Sequence, residues 1–130
     1  MADALSILGP FRFRVDPARA AAFAREIGAD EASVPLSYPA IWIADPRLFD
    51  QVRDYCAAAD VVPVHESQSF SFSGALRAGA EYDVTVALRR EDTPPRLILD
   101  ATVASADGAP VAKSETMLRL VPRAGFGGQS

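Results

Sequence analysis

His65-Glu-Ser-Gln-Ser-Phe-Ser-Phe-Ser-Gly-Ala-Leu-Arg-Ala-Gly79 decides the reading of the chain. Its first nine residues interleave serine with larger side chains, a period of two that predicts a half-buried β-strand. On that period Glu66, Gln68, Phe70 and Phe72 share one face. Gly74 to Gly79 then reads as a loop.

The same period continues toward the C-terminus. Tyr82, Val84, Val86 and Leu88 mark one face of a second long strand, and Glu91-Asp-Thr-Pro-Pro95 turns the chain. Arg96 to Ala106 makes a third strand with Leu97, Leu99, Ala101 and Val103 in phase. Asp107-Gly108 is a hairpin signal, because both residues tolerate positive φ. The last strand runs from Val111 to Val121, with Thr116, Leu118 and Leu120 on one face.

Toward the N-terminus the period changes to 3.6. Leu48, Phe49, Val52, Tyr55, Cys56 and Ala59 form the apolar stripe of a central helix. Asp45-Pro46 opens it with an N-cap and a proline at the first helical position. Ala40 to Ala44, just ahead, is too apolar to be left in water. Asp16-Pro17 opens another helix in the same way, which runs to Ile27 and ends at Gly28. Phe11-Arg-Phe-Arg-Val15 alternates as a short strand. Long antiparallel strands against one long helix predict an α+β domain.

With 130 residues, 49% of them apolar, the chain is long enough for one core without covalent staples. Its 13 basic and 17 acidic residues give a net charge of −4, so no basic surplus exists to displace counterions from nucleic acid. A single cysteine, Cys56, excludes an internal disulfide and a cysteine zinc cluster, and a single histidine, His65, excludes a multi-histidine metal site. No metal or organic cofactor is implied. No apolar run reaches the roughly 18 residues of a membrane span. The first ten residues lack the basic and apolar regions of a secretory signal, so a cytoplasmic location is expected.

Several segments together resemble the MaoC-like dehydratase N-terminal domains. Residues 65–79 resemble that family's "HGEQ-x-F-x-(F/Y)-x-x-P-L-x-x-G-D" segment. Val34-Pro-Leu-Ser-Tyr-Pro39 resembles its "(A/V)-P-P-T-F-P", and Val103 to Lys113 its "V-x-x-x-D-G-x-x-V-(A/V)" hairpin. Phe13 to Ile27 resembles the opening strand and helix. The resemblance covers residues 11–121. It implies a single hot-dog fold, a curved antiparallel sheet wrapped around the central helix. Residues 1–10 are expected to be a flexible N-terminus, 11–122 the hot-dog domain, and 123–130 a disordered glycine-rich tail. The resemblance also implies acyl-CoA or acyl-carrier-protein thioesters as ligands, and a homodimer or a heterodimer with a catalytic hot-dog subunit.

Catalytic members of the family carry an Asp-x4-His pair in the loop before the central helix. A base there moves the C2 proton while water adds at C3. In this chain the loop reads Gly28-Ala-Asp-Glu-Ala-Ser-Val-Pro35: Asp30 is present, but proline stands at position 35. The implied function is a catalytically silent subunit of an (R)-3-hydroxyacyl thioester dehydratase or enoyl-CoA hydratase. Alternatives are an active hydratase that uses the displaced pair Asp60 and His65, and a hot-dog thioesterase with Asp50 on the central helix. His65 also reads as a hydrogen-bonded strand-end histidine or as a donor to a ligand. Tyr38, Trp42, His65 and Gln68 are the candidate substrate-binding residues. Tyr38, Trp42 and Phe49 read either as core or as the lining of an acyl tunnel. Glu66 and Gln68, if buried, need partners or a ligand. Arg89, Arg90 and Arg96 are candidates to attract a ligand phosphate, or are solvated strand ends. Asp45 reads as an N-cap and Cys56 as core.

Overall fold

In the computed structural model, residues 3–35 and 38–123 are described. The elements are β1 (Asp3–Arg14), α1 (Pro17–Glu26), α2 (Ala40–Ile43), α3 (Pro46–Ala58), β2 (Val61–Phe72), β3 (Glu81–Asp92), β4 (Pro95–Ser105) and β5 (Pro110–Pro122). The strands form one antiparallel sheet in the order β1-β3-β4-β5-β2. The helix α3 lies across its inner face and touches both outermost strands, β1 and β2. Five strands at about 4.8 Å spacing span about 19 Å, wider than a helix of about 10–12 Å, so the sheet must curl to reach α3 from both edges. This is the hot-dog arrangement.

The helices α1 and α3 start where the sequence predicts. Asp16 caps α1, its carboxylate accepting from the amides of Ala18 and Arg19, and Asp45 caps α3 by accepting from Arg47 N. Leu48, Val52 and Cys56, spaced by four residues, form the fully covered stripe of α3. They pack on Val86, Leu88, Leu97, Leu99, Leu118 and Leu120 of the sheet's inner face. Burial pushes the Cys56 thiol pKa up, which keeps it protonated and inert. Tyr55, on the flank of the helix, accepts a hydrogen bond from Arg90 Nη1 at 2.9 Å and ties α3 to β3.

The N-terminal segment requires a correction. Residues 3–10 were expected to be flexible, yet Asp3 to Leu8 pair with Val86 to Arg90 of β3. Gly9-Pro10 reads as punctuation in isolation, but the sheet absorbs it as a register break between Leu8 and Phe11. Gly9 has φ 92°, and a Cβ there would lie 2.7 Å from the Val84 carbonyl oxygen, so only glycine fits. At the other end Arg123 is anchored: its N–H donates to the Asp60 carbonyl at 3.1 Å. Residues 124–130 of the expected tail lie outside the described residues, as do residues 1, 2, 36 and 37.

If α3 is held by its buried stripe, Leu48→Ala should lower unfolding free energy by about 2–5 kcal/mol in urea titration. The exposed neighbour Gln51→Ala should change it by no more than about 0.5 kcal/mol.

Candidate functional site

The outermost strand β2 brings the family-like segment to the inner face of the sheet. Register across the sheet gives three rows on that face: Leu88–Leu99–Thr116–Gln68, Val86–Ala101–Ser114–Phe70, and Val84–Val103–Ala112–Phe72. Each row is apolar in the middle of the sheet and turns polar or aromatic toward β2. Gln68 Nε2 donates to Thr116 Oγ1 at 2.9 Å. The Ser114 hydroxyl, in a residue only 6% exposed, is buried without a partner among the described residues. A buried hydroxyl without a partner is costly unless something else supplies one. Phe70 and Phe72, half-buried with ring centroids 6.2 Å apart, wall the same strip. Ser114 was not singled out from the sequence, where it is one more small residue in the last strand. The strip thus combines apolar and aromatic side chains with a few placed polar groups, the residue make-up of a small-molecule site.

Glu66 does not belong to it. A bulge between His65 and Ser67 adds a residue to β2 relative to β5, and this reverses the alternation at one point. Glu66 turns to the outer face, where Arg96 Nε donates to it at 2.6 Å and Arg119 Nη2 at 2.8 Å. The hydrogen bond from Arg96, reinforced by Arg119, holds the Glu66 carboxyl below the usual carboxylate range. The face shared by Glu66, Gln68, Phe70 and Phe72 is thus corrected to Gln68, Phe70 and Phe72.

Asp60 and His65 are not brought together. Asp60 forms the turn after α3 with φ 58°, and its carboxylate pairs with Arg123 at 3.4 Å. His65 is exposed on β2, opposite Leu118. Five residues of extended strand separate the two α-carbons by about 16 Å. The candidate binding residues also divide. Tyr38 and Trp42 are 1% and 4% exposed and belong to an aromatic cluster on the β1 side. Trp42 stacks on Phe13 at 5.4 Å and meets Tyr38 edge-on at 5.6 Å. Gln68 and His65 stand four strands away. Burial raises the Tyr38 phenol pKa, so its hydroxyl stays protonated. Phe49 is half-buried against the core, while Asp50 is exposed on α3 and pairs with Arg53 at 3.6 Å.

The hairpin arginines are committed within the chain. Arg89 donates to Asp100 at 2.5 Å and to Glu115 at 3.2 Å. Arg90 holds Tyr55 and pairs with Asp92 at 3.3 Å, and Arg96 holds Glu66. Their expected pull on a ligand phosphate is neutralised by these carboxylates. Among the described residues, no group of three or more His, Cys, Asp or Glu side chains is arranged to hold a metal ion. No helix there is long and apolar enough to cross a membrane.

No protein-family model matches the chain, and no curated protein sequence matches it significantly. Solved structures do. One is a chain of the C-terminally truncated HadBC (3R-hydroxyacyl-ACP dehydratase) complex of Mycobacterium tuberculosis. It is 22% identical over 86% of this chain and 93% of that one, with a TM-score of 0.66. The (R)-hydratase from A. caviae involved in PHA biosynthesis gives a TM-score of 0.60 at 16% identity, covering 91% of this chain and 96% of that one. The 1,4-dihydroxy-2-naphthoyl-CoA thioesterase Slr0204 from Synechocystis gives 0.58 at 11% identity, covering 86% and 80%. At these identities the likeness establishes the hot-dog fold.

Two measurements probe the site without a ligand. Ser114→Ala removes a hydroxyl that has no partner, so its melting temperature should stay level or rise. Thr116→Val takes away the acceptor of Gln68 and should cost about 1 kcal/mol. Equal losses in the two variants would mean that Ser114 Oγ is already satisfied by the protein. On the outer face, the Glu66 carboxyl is more acidic folded than unfolded. Its stabilising contribution is present above the ordinary carboxylate range and is lost as pH falls through the folded value. Melting curves from about pH 7 to about pH 3 should fall more steeply for wild type than for Glu66→Gln.

Proposed function

We propose that this chain is a hot-dog protein that binds acyl thioesters. In this reading it is the catalytically silent subunit of an (R)-3-hydroxyacyl thioester dehydratase or enoyl-CoA hydratase. The observation that carries the silent reading is the location of the chain's one histidine. Hydration of an enoyl thioester needs a base and an acid close enough to share the reacting groups. His65 stands on an extended strand, far from Asp60, and the loop before α3 has proline at position 35. A proton-moving Asp-x4-His pair would then come from a partner chain. Thioester binding is supported by the strip of Gln68, Thr116, Ser114, Phe70 and Phe72, where an acyl chain meets aromatic walls and a carbonyl meets donors.

The partner would lie along β2. From Ser67 to Phe72 this outermost strand carries neither charge nor proline, and among the described residues it has no neighbour beyond it in the sheet. Such an edge favours pairing with a second chain. The partner subunit would be a second copy or a catalytic hot-dog chain, and the carrier would be coenzyme A or a carrier protein. A cytoplasmic location is part of the same reading.

Following the absorbance of crotonyl-CoA tests it. Wild type and His65→Ala should both fail to hydrate the substrate alone, and activity should appear on mixing with a hot-dog chain that carries Asp-x4-His. Turnover by wild type alone, falling about 10²–10⁴-fold in His65→Ala, would instead establish an active hydratase. Release of free thiol from acyl-CoA, abolished by Asp50→Asn, would establish a thioesterase, the activity of the structural neighbour Slr0204.

A further inference from the structure

A cavity opens at the opposite border of the sheet from β2, where β1 meets α1, α2 and the start of α3. It has a volume of about 550 Å³, within the range of small-molecule sites. Four arginines line it: Arg12, Arg14, Arg19 and Arg47. Its floor is the aromatic cluster of Phe13, Trp42 and Tyr38.

The charge at this mouth runs against the rest of the chain. Acidic residues outnumber basic ones 17 to 13, and most arginines are paired with a carboxylate. Among the described residues, Arg14, Arg19 and Arg77 have no carboxylate partner, and of these Arg14 and Arg19 line the cavity. The two acids at the mouth are already committed. Asp16 accepts from the amides of Ala18 at 3.0 Å and Arg19 at 3.5 Å, and Asp45 accepts from Arg47 N at 2.9 Å and Arg47 Nε at 3.1 Å. Arg12 and Arg47 are held as walls: Arg12 by Asp83 at 2.6 Å, Arg47 by Asp45 and over the Phe13 ring at 4.4 Å.

The free border of β1 adds donors. Val15 exchanges hydrogen bonds with Gly79 and Ala80 on the β3 side. By alternation Arg12 and Arg14 turn their N–H and C=O groups outward, toward the cavity. Arg47 Nη1 donates to the Arg12 carbonyl at 3.3 Å, and the amides beside it still present donors only an acceptor can use.

We infer that this cavity binds the phosphate group of a small phosphate ester, with Arg14 and Arg19 as its charged ligands and the aromatic floor beneath the organic part. Guanidinium groups suit phosphate because their planar forks donate in pairs to its oxygens. The site is distinct from the β2 strip and does not rest on the thioester reading.

Isothermal titration with inorganic phosphate, adenosine 5′-monophosphate and coenzyme A tests it, using the full chain and the double variant Arg14→Gln/Arg19→Gln. Both side chains are exposed, so the variant should melt with wild type. The expected result is binding of at least one phosphate ester, weakened about tenfold or more in the double variant and unchanged in Arg77→Gln, an arginine outside the cavity. The monophosphate binding more tightly than inorganic phosphate would support a role for the aromatic floor. Coenzyme A binding more tightly than both would name the source of the phosphate. No binding of any of the three at millimolar concentration, or equal binding by wild type and the double variant, would overturn the inference.

Discussion

Burial of the α3 stripe against a curled sheet is the contact on which the rest of the structure depends. A thirteen-residue helix is marginal in water on its own. Leu48, Val52 and Cys56 gain their stability only when the sheet covers them, each large side chain by about 1.5–3 kcal/mol. The sheet has the reciprocal need, since Val86, Leu88, Leu97, Leu99, Leu118 and Leu120 would otherwise face water. Curling brings both outermost strands to the helix. It also leaves the two ends of each row of inner residues different in character, so that polar and aromatic groups collect at β2 while apolar ones fill the centre.

The two faces of the sheet solve separate problems. Inside, the few polar groups are neutral apart from Arg90, which is tied to Tyr55, and one of them, Ser114, is left without a partner among the described residues. Outside, charges interlock across strands: Arg89 with Asp100 and Glu115, Arg96 and Arg119 with Glu66. Ile98 sits among them on the outer face, opposite Arg89 and Met117, yet is fully covered. The alkyl stems of long cationic side chains can shield such a residue while their charged ends reach solvent. An arginine that carries out this work has no charge to spare for a ligand, which is why the unpaired arginines beside β1 stand apart.

Much of the fold was legible in local patterns. The 3.6-residue period of α3, the Asp-Pro helix starts and the period of two from Val61 onward are properties of neighbouring residues, and each survives in the structure apart from the break in period at Glu66. What failed to show was set by residues far away in sequence. The Gly9-Pro10 break reads as an end to structure until β3 is there to pair around it. The bulge at Glu66 exists because β2 and β5 differ by one residue in register, which no single strand reveals. The spacing from Asp60 to His65 matches a catalytic signature on paper, but that spacing joins two side chains only where the backbone folds back, and here it is extended. Tyr38 and Trp42 were grouped with Gln68 by chemistry, whereas topology sets them at opposite borders of the sheet.

Those borders differ in one more respect. β1 is irregular at two points, carries Pro10 and two outward arginines, and has the Arg12 carbonyl already occupied by Arg47. Its hydrogen-bonding rim is blunted. The rim of β2 from Ser67 to Phe72 is regular and uncharged. A building block with one blocked rim and one receptive rim can be extended a single time, because the newcomer brings its own blocked rim to the outside. Growth by strand addition, were β2 to pair with a second chain, would stop at two chains, and the receptive strand would not have to be hidden to prevent open-ended fibre formation.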